Sequence, residues 1–213
     1  MAQTQEIKAV YDAVVEGNMA DIADLTQKAL DAGADATAVL NEGMISAMDV
    51  VGERFKNEEI FVPEMLISAM TMKSGVEVLK PCLAEGDSVK RGKMVMGTVY
   101  GDLHDIGKNL VKMLLESKGL EVIDLGTDVT PEALVQTAIN EHCQVICCSA
   151  LLTTTMRGMA DIVKAAEAAG IRDKVKIMIG GAPVTEAYCQ KIGADAYTPD
   201  ATTAAEVAAK YCA

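Results

Sequence analysis

The hydrophobic period of this chain changes once along its length, and that change constrains the fold more than any other feature. Through residues 1–85, apolar residues recur at spacings of three and four, which is the period of an amphipathic helix. From residue 93 onward, short apolar runs alternate with segments of helical period. The two patterns predict two domains, a helical one over 1–85 and an α/β one over 93–213. The polar, glycine-containing segment 86–92 predicts a linker.

Four apolar stripes in the first part predict four helices, over 7–14, 22–30, 39–55 and 63–79. Pro63 opens the fourth, in the first helical turn that proline favours. Amphipathic helices joined by short connections are typical of a four-helix bundle. This part holds 15 acidic and 6 basic residues, whereas the rest of the chain holds 16 and 13. Most of the net charge of −12 is therefore expected on the bundle.

The second part alternates strand-like and helix-like segments five times. Strands are expected over 94–100, 121–125, 144–149, 176–179 and 195–197, and helices over 108–118, 131–141, 156–169, 184–192 and 201–210. Such alternation predicts a parallel sheet with helices on both faces. The fold class is therefore α/β, with a flavodoxin- or Rossmann-like five-stranded sheet of strand order 2-1-3-4-5 that follows the four-helix bundle.

The acidic composition excludes several classes of function. With a net charge of −12 and a pI near 4.6, the chain lacks the clustered Lys and Arg that bind nucleic acid or an anionic membrane surface. No apolar run approaches the roughly 18 residues that span a bilayer. The N-terminus has neither the basic nor the apolar region of a signal peptide. We therefore expect no nucleic-acid partner, no membrane attachment and a cytoplasmic location.

The cysteines fit that location. None of the six belongs to a CxxC pair, and Cys147 and Cys148 are adjacent within an apolar run. Reduced, buried thiols are the expectation for an α/β chain of this kind. A zinc site is disfavoured, since neither the spacing nor a histidine beside a cysteine cluster supports it.

Polar and glycine-rich residues of the second part concentrate at the carboxyl ends of the first, third and fourth expected strands, over 101–108, 149–155 and 180–183. In a sheet of order 2-1-3-4-5, ligands bind at this edge, beside the switch point between strands 1 and 3. We therefore expect the functional site there.

Several common sites fail at this edge. The stretch from Gly101 to Gly107 has five intervening residues instead of the four of a phosphate loop, and Asn109 stands where Ser or Thr would hold magnesium. No GxGxxG follows the first strand. A phospho-acceptor receiver domain requires an aspartate where Ser149 stands. No GxSxG occurs, which disfavours a Ser–His–Asp hydrolase.

His104 is the candidate ligand-binding side chain at this edge. Asp102 precedes it by two residues, so a short loop can place a carboxylate against one imidazole nitrogen and leave the other for a ligand. The alternative is a surface-loop histidine beside the start of a helix. His142, the second histidine, is expected to cap the end of a helix.

Three blocks at defined spacing carry a resemblance. Asp102-x-His104-x-x-Gly107 is followed after 41 residues by Ser149-x-Leu151, and after another 28 by Gly180-Gly181. This resembles the DxHxxG…SxL…GG signature of cobalamin-binding domains that hold the corrinoid base-off and His-on. With the upstream bundle, residues 3–211 resemble the module of methionine synthase and of small corrinoid proteins. Chain length and the run 149–156 point to corrinoid proteins of methylamine or quaternary-amine methyltransferase systems.

The resemblance assigns roles by position. His104 becomes the axial ligand to cobalt and Asp102 its hydrogen-bond partner. Thr155 takes the place of a serine that extends this pair in methionine synthase, and Ser149 should meet the displaced nucleotide base. The glycines should let the nucleotide tail pass close to the backbone. The implied cofactor-binding residues of this domain are Asp102, His104, Asp105, Ile106, Gly107, Ser149, Leu151, Thr153, Thr155, Gly180 and Gly181.

The bundle should cover the upper face of the corrin and shield the methyl group. Alignment on the segment 61–64 places Phe55, Val62 and Met65 at the covering positions. The alternative is that Phe55 and Met65 are only bundle core. For Phe55 both readings stand open, since it also belongs to the third apolar stripe.

The implied function is that of a non-catalytic methyl carrier. A substrate:corrinoid methyltransferase would place a methyl group on Co(I), and a second methyltransferase would take it from methyl-Co(III) to a thiol coenzyme or tetrahydrofolate. A reductive activating ATPase would restore Co(I), in the metabolism of methanogens or acetogens. Two alternatives stay open, a cobalamin-sensing regulatory module and a corrinoid subunit of an adenosylcobalamin mutase. The methyl donor, the lower base of the corrinoid and the oligomeric state are not determined, although amines are favoured as donors.

Overall fold

The computed structural model describes residues 4–83 and 92–212. The chain divides into two compact units, one within residues 1–90 together with 117–119, and the other within the remainder. The predicted linker 86–92 lies outside the described residues except for Gly92. No helix in the described ranges is long and apolar enough to cross a bilayer.

The first unit is helical, as its apolar stripes predict. Its helices are α1 (Gln5–Glu16), α2 (Ile22–Asp31), α3 (Ala36–Ala38), α4 (Ser46–Lys56) and α5 (Val62–Leu79). A π-helical stretch, Val39–Ile45, joins α3 to α4, so the third predicted helix is continuous but locally wound more widely. Within that stretch Gly43 packs close to α1. A Cβ at this position would lie only 3.2 Å from a methyl group of Val10. A short 3-10 turn, Lys80–Cys82, follows α5.

Local signals explain where these helices begin and end. The Thr4 hydroxyl accepts the Ile7 N–H at the start of α1, and Gly17 ends that helix in the left-handed conformation with φ 70°. At the start of α5, the Glu64 carboxylate accepts the Phe61 N–H at 2.8 Å, and Pro63 occupies the first turn. The sequence-predicted start of the fourth helix is therefore correct to one residue.

The second unit is built on a five-stranded parallel sheet of order β2-β1-β3-β4-β5, which confirms the predicted topology. The strands are β1 (Lys93–Thr98), β2 (Glu121–Asp124), β3 (Val145–Ser149), β4 (Lys176–Gly180) and β5 (Ala196–Tyr197). The helices are α6 (Ile106–Ser117), α7 (Pro131–Asn140), α8 (Arg157–Ala168), α9 (Glu186–Ile192) and α10 (Ala201–Tyr211). Consecutive residues of β1 are buried, which is typical of a parallel sheet that is covered on both faces.

Strand β1 is shorter than predicted, and this shapes the site. Beyond Thr98 only Val99 pairs further, in an isolated bridge to Val129, and Gly101 turns the chain with φ 80°. Helix α6 also begins two residues earlier than expected, at Ile106. The register sets Thr98 beside Ser149, and Ser149 beside Gly180. The three central strands β1, β3 and β4 therefore end side by side.

Candidate functional site

The carboxyl ends of the strands in the second unit border a cavity of about 640 Å³. Its wall comes from the loop before α6, the first turns of α6, the ends of β3 and β4, and the segment between β5 and α10. This is the edge at which the switch-point rule places a ligand. The predicted site residues that line the cavity are His104, Asp105, Ile106, Gly107, Ser149, Leu151, Gly180 and Gly181.

His104 stands on the loop between β1 and α6, with its side chain 52% exposed. Its Nδ1 lies 2.7 Å from Oδ1 of Asp102, and its backbone N–H donates to the same oxygen at 3.1 Å. One carboxylate oxygen thus fixes both the loop and the imidazole ring. Nε2 makes no hydrogen bond within the described part of the chain.

The Asp102 side chain is fully buried and satisfied by hydrogen bonds. Its second oxygen accepts from the N–H groups of Leu151 (2.8 Å) and Leu152 (3.4 Å) and from the Thr155 hydroxyl (2.7 Å). Burial by itself raises the pKa of this carboxyl, but the bonds from Thr155, Leu151 and His104 outweigh it, and the pKa lies well below its ordinary value of 3.8.

That electrostatic state fixes the histidine tautomer. Because Asp102 is ionised at neutral pH, it can only accept hydrogen bonds, so Nδ1 of His104 carries the proton. In this tautomer the Nε2 lone pair is left for a ligand. His104, held by Asp102, is therefore an electron-pair donor with a fixed orientation.

Large apolar side chains surround this donor and are open to solvent. Leu103 and Ile106, on either side of His104 in sequence, are 74% and 87% exposed. Tyr100, Leu151 and Leu152 at the same edge are exposed as well. Exposed apolar patches often mark surfaces that bind a ligand or a partner, and this patch therefore belongs to the candidate site.

Lys108 lines the cavity, but its ammonium group is not available to bind a phosphate. Its side chain is 2% exposed, and its Nζ lies 2.7 Å from each carboxylate oxygen of Asp124 at the end of β2. Burial raises the pKa of Asp124, but the hydrogen bond and charge of Lys108 lower it by more, so the pKa lies below its ordinary value. The ammonium is thus committed to an internal ion pair, which agrees with the rejection of a phosphate loop from the sequence.

The cavity also contains a thiol that is not reactive. Cys147 lines the wall, and burial raises its pKa to about 12. Burial raises the pKa of Cys143 to about 11. Both thiols stay protonated at neutral pH, so neither serves as a nucleophile.

The glycines at this edge differ in how much space the chain leaves for a Cβ atom. A Cβ at Gly107 would meet nothing within 4 Å, so the chain itself leaves that position open. Gly181 has φ 126°, and a Cβ there would lie 1.9 Å from the Ala150 carbonyl oxygen. The backbone of the β3 loop therefore already excludes a side chain at Gly181, whether or not a nucleotide tail passes there.

Three predicted residues of the second unit, Asp102, Thr153 and Thr155, do not line this cavity. Thr153 is exposed on the loop after β3. Phe55, Val62 and Met65 belong to the first unit, where Phe55 is half-buried, Val62 is 39% exposed and Met65 is fully buried.

Sequence reasoning missed other residues of the site. Thr98, buried at the end of β1, contacts the His104 backbone and Ser149. The segment 197–201 lines the cavity beyond β5. Its position at the carboxyl end of a strand was the available signal, but that segment carries no glycine or histidine motif to mark it.

Comparison with known families agrees with this geometry. Residues 92–209 match the B12 binding domain, and residues 6–80 match a second family of that description. A corrinoid protein of Desulfitobacterium hafniense is 37% identical, over 99% of this chain and 97% of its own. Trimethylamine corrinoid protein 1 of Methanosarcina acetivorans is 40% identical, over 95% of each chain. This chain belongs to the B12-binding corrinoid proteins.

A solved structure extends the likeness of this corrinoid protein to its fold. The methanol:cobalamin methyltransferase complex of Methanosarcina barkeri contains a chain that matches with a TM-score of 0.88 and 28% identity, over 99% of this chain and 81% of that one. The fold of both units is thus shared with a protein that works in a methyltransferase complex.

The residues present fit a corrinoid. No three His, Cys, Asp or Glu side chains converge to hold a metal within 4–83 and 92–212. A single oriented imidazole suits a metal whose other ligands come from a macrocycle. The exposed apolar patch suits the face of that macrocycle, and the cavity beside it provides room for an appended group.

Proposed function

We propose that this protein is a methyl carrier that binds its corrinoid base-off, with Nε2 of His104 as the lower axial ligand. The observation that carries the proposal is the 2.7 Å contact between His104 and Asp102 beside the 640 Å³ cavity. This contact orients the imidazole through Nδ1 and leaves Nε2 of a half-exposed side chain for a ligand. The displaced base needs a separate compartment, and the cavity offers one.

Bound corrinoid supplies a cobalt ion that accepts a methyl group in its Co(I) state and releases it to a second acceptor. The chain's own residues orient this cofactor. Asp102 holds His104, Ser149 contacts the nucleotide base, and Gly107 leaves space for the tail. Leu103 and Ile106 are exposed beside His104 and would exclude water from the lower face of a bound ring.

The partners follow from this role. A substrate:corrinoid methyltransferase delivers the methyl group, and a second methyltransferase passes it to a thiol coenzyme or tetrahydrofolate. A reductive activating ATPase returns cobalt to the reduced state, which requires a reducing cytoplasm. An amine is the favoured methyl donor, because the relative that is 40% identical is named for trimethylamine.

The first unit serves as the cover of the upper corrin face in this proposal. Val62 is exposed at the start of α5 and provides apolar surface for that purpose. Phe55 is half-buried, and Met65 is fully buried in the structure described. Met65 and Phe55 then act by supporting the helices that present Val62.

A methyl-transfer assay tests the function. The protein is loaded with hydroxocobalamin, reduced with titanium(III) citrate, and mixed with the methyltransferase encoded beside its gene. Trimethylamine, dimethylamine, monomethylamine and methanol are supplied in turn. We expect methylation of the bound corrinoid with one amine. Failure to bind cobalamin, or binding without methylation by any donor, would overturn the carrier assignment.

A further inference from the structure

The buried hydroxyl of Thr98 connects the axial-ligand loop to the base compartment. Thr98 is 1% exposed at the carboxyl end of β1. Its Oγ1 donates to the His104 carbonyl oxygen at 2.8 Å and lies 3.1 Å from the Ser149 hydroxyl. Ser149 lines the cavity, whereas His104 carries the free imidazole nitrogen. One side chain therefore contacts both groups that the proposed function assigns to the cofactor.

The direction of the two hydrogen bonds follows from the donors available. A threonine hydroxyl has one proton, and the carbonyl of His104 can only accept. The Thr98 proton is thus used on His104, and the contact with Ser149 requires Ser149 to donate. The Ser149 oxygen then directs its lone pairs, and not its proton, toward the rest of its surroundings.

The main chain holds Thr98 rigidly. Its N–H donates to the Gly126 carbonyl at 2.9 Å, and its own carbonyl accepts the Val129 N–H at 3.0 Å. The neighbouring Val99 N–H donates to the Ser149 carbonyl at 3.0 Å. The position of the hydroxyl is consequently fixed by the sheet. Its hydrogen bond to the His104 carbonyl then fixes the loop relative to the sheet.

The His104 loop is thereby fixed at two places. Asp102 accepts from the imidazole and from the backbone N–H of His104, and Thr98 donates to the backbone carbonyl of the same residue. Removal of the Thr98 hydroxyl leaves the Asp102 contacts intact but frees one side of the peptide. The imidazole keeps its tautomer and loses part of its orientation.

We propose that Thr98 is a positioning residue that couples axial ligation by His104 to occupation of the base compartment at Ser149. The inference rests on the proposed function. With Thr98 in place, the nucleotide base and the imidazole are held at a fixed separation, so binding of the tail favours the ligated arrangement. Without its hydroxyl, the two contacts become independent.

The matched substitutions are Thr98→Val, which keeps the shape and removes the hydroxyl, and Thr98→Ser, which keeps the hydroxyl and removes the methyl group. Each variant is loaded with cobalamin and reduced to Co(II). Because the base of cobalamin also carries a nitrogen ligand, histidine is labelled with ¹⁵N, and the ¹⁵N superhyperfine splitting in the EPR spectrum then reports the fraction with a histidine ligand. We expect about a fivefold to tenfold lower ratio of ligated to unligated cobalt for Thr98→Val, the effect of one hydrogen bond, and near wild-type behaviour for Thr98→Ser.

A second measurement isolates the coupling. Affinity is compared for cobalamin and for cobinamide, which lacks the nucleotide tail. Wild type and Thr98→Ser should prefer cobalamin, and Thr98→Val should lose much of that preference, as should Ser149→Ala. Combining Thr98→Val with Ser149→Ala should add little, because both break the same connection.

The outcomes separate the two proposals. If His104→Ala abolishes the ¹⁵N splitting while Thr98→Val retains the wild-type splitting and cobalamin preference, the coupling is wrong and the carrier assignment stands. If His104→Ala changes neither quantity, the axial-ligand assignment fails, and the coupling with it. Should Thr98→Val not fold, Thr98→Ala is measured in its place with the same criteria.

Discussion

His104 and Asp102 lie 2.7 Å apart, yet one side chain is half-exposed and the other is fully buried. The buried carboxylate also accepts from the Thr155 hydroxyl at 2.7 Å. The loop after β1 is therefore tied to the loop after β3 by one side chain. A ligand bound to His104 is therefore connected, through Asp102, to the loops that follow the two central strands β1 and β3.

Substitution of His104 by Ala should remove axial ligation without removing cofactor binding, since the cavity for the tail is unchanged. The absorption and Co(II) EPR spectra of protein loaded with cobinamide, which has no nitrogen base of its own, should lose the signature of a nitrogen ligand. His142→Ala is the control, because His142 lies on an exposed turn after α7. Identical spectra for wild type and His104→Ala would exclude His104 as the ligand.

Substitution of Asp102 by Asn should lower the free energy of unfolding of the apo-protein by about 1–3 kcal/mol, because a buried acceptor of several hydrogen bonds gains an amide that must donate. Urea unfolding at pH 7 measures this loss.

The same loss should depend on pH in one direction. The folded-state pKa of Asp102 is lowered, so its stabilising effect is present above the unfolded value near 3.8 and is lost as the pH falls through the folded value. The difference between wild type and Asp102→Asn should stay constant from pH 7 to about pH 5 and shrink below about pH 4. A difference that does not change down to pH 3 would contradict the lowered pKa.

Gly107 and Gly181 should respond differently to Ala. At Gly107 the chain leaves the Cβ position open, so Gly107→Ala should leave apo-protein stability unchanged or raise it by about 0.5–1 kcal/mol. If the nucleotide tail passes there, affinity for cobalamin falls and affinity for cobinamide does not. Gly181→Ala should destabilise the apo-protein, because its Cβ would meet the Ala150 carbonyl oxygen. Equal losses for cobalamin and cobinamide in Gly107→Ala would show that the tail runs elsewhere.

Val62 and Met65 separate a covering role from a packing role. Met65 is fully buried, so Met65→Ala should cost about 2–5 kcal/mol of unfolding free energy. Val62 is 39% exposed, so Val62→Ala should cost little. If Val62 covers the corrin, protein loaded with methylcobalamin should lose its methyl group faster in light after Val62→Ala, because the radical escapes before it recombines. Light-induced loss at the wild-type rate would contradict a covering role for Val62.

Much of the fold could be predicted because it depends on local periodicity. The parallel sheet and its order followed from alternating strands and helices, and Pro63 marked the start of α5. The π-helical stretch Val39–Ile45 was not predictable, since the apolar pattern does not distinguish its wider winding from that of an α-helix. Likewise, the end of β1 at Thr98 depends on where its partner strands stop, and not on the apolar run through Tyr100.

The sequence by itself determined the succession of elements and the DxHxxG segment with Asp102 two residues before His104, because both are properties of neighbours along the chain. Only the tertiary structure decided what Thr98, Lys108 and Gly181 contact. Thr98 meets Ser149 across 51 residues of sequence, and Lys108 meets Asp124 across 16. Such contacts are set by the register of paired strands and the packing of helices on them, and these fix distances between atoms that no local pattern specifies.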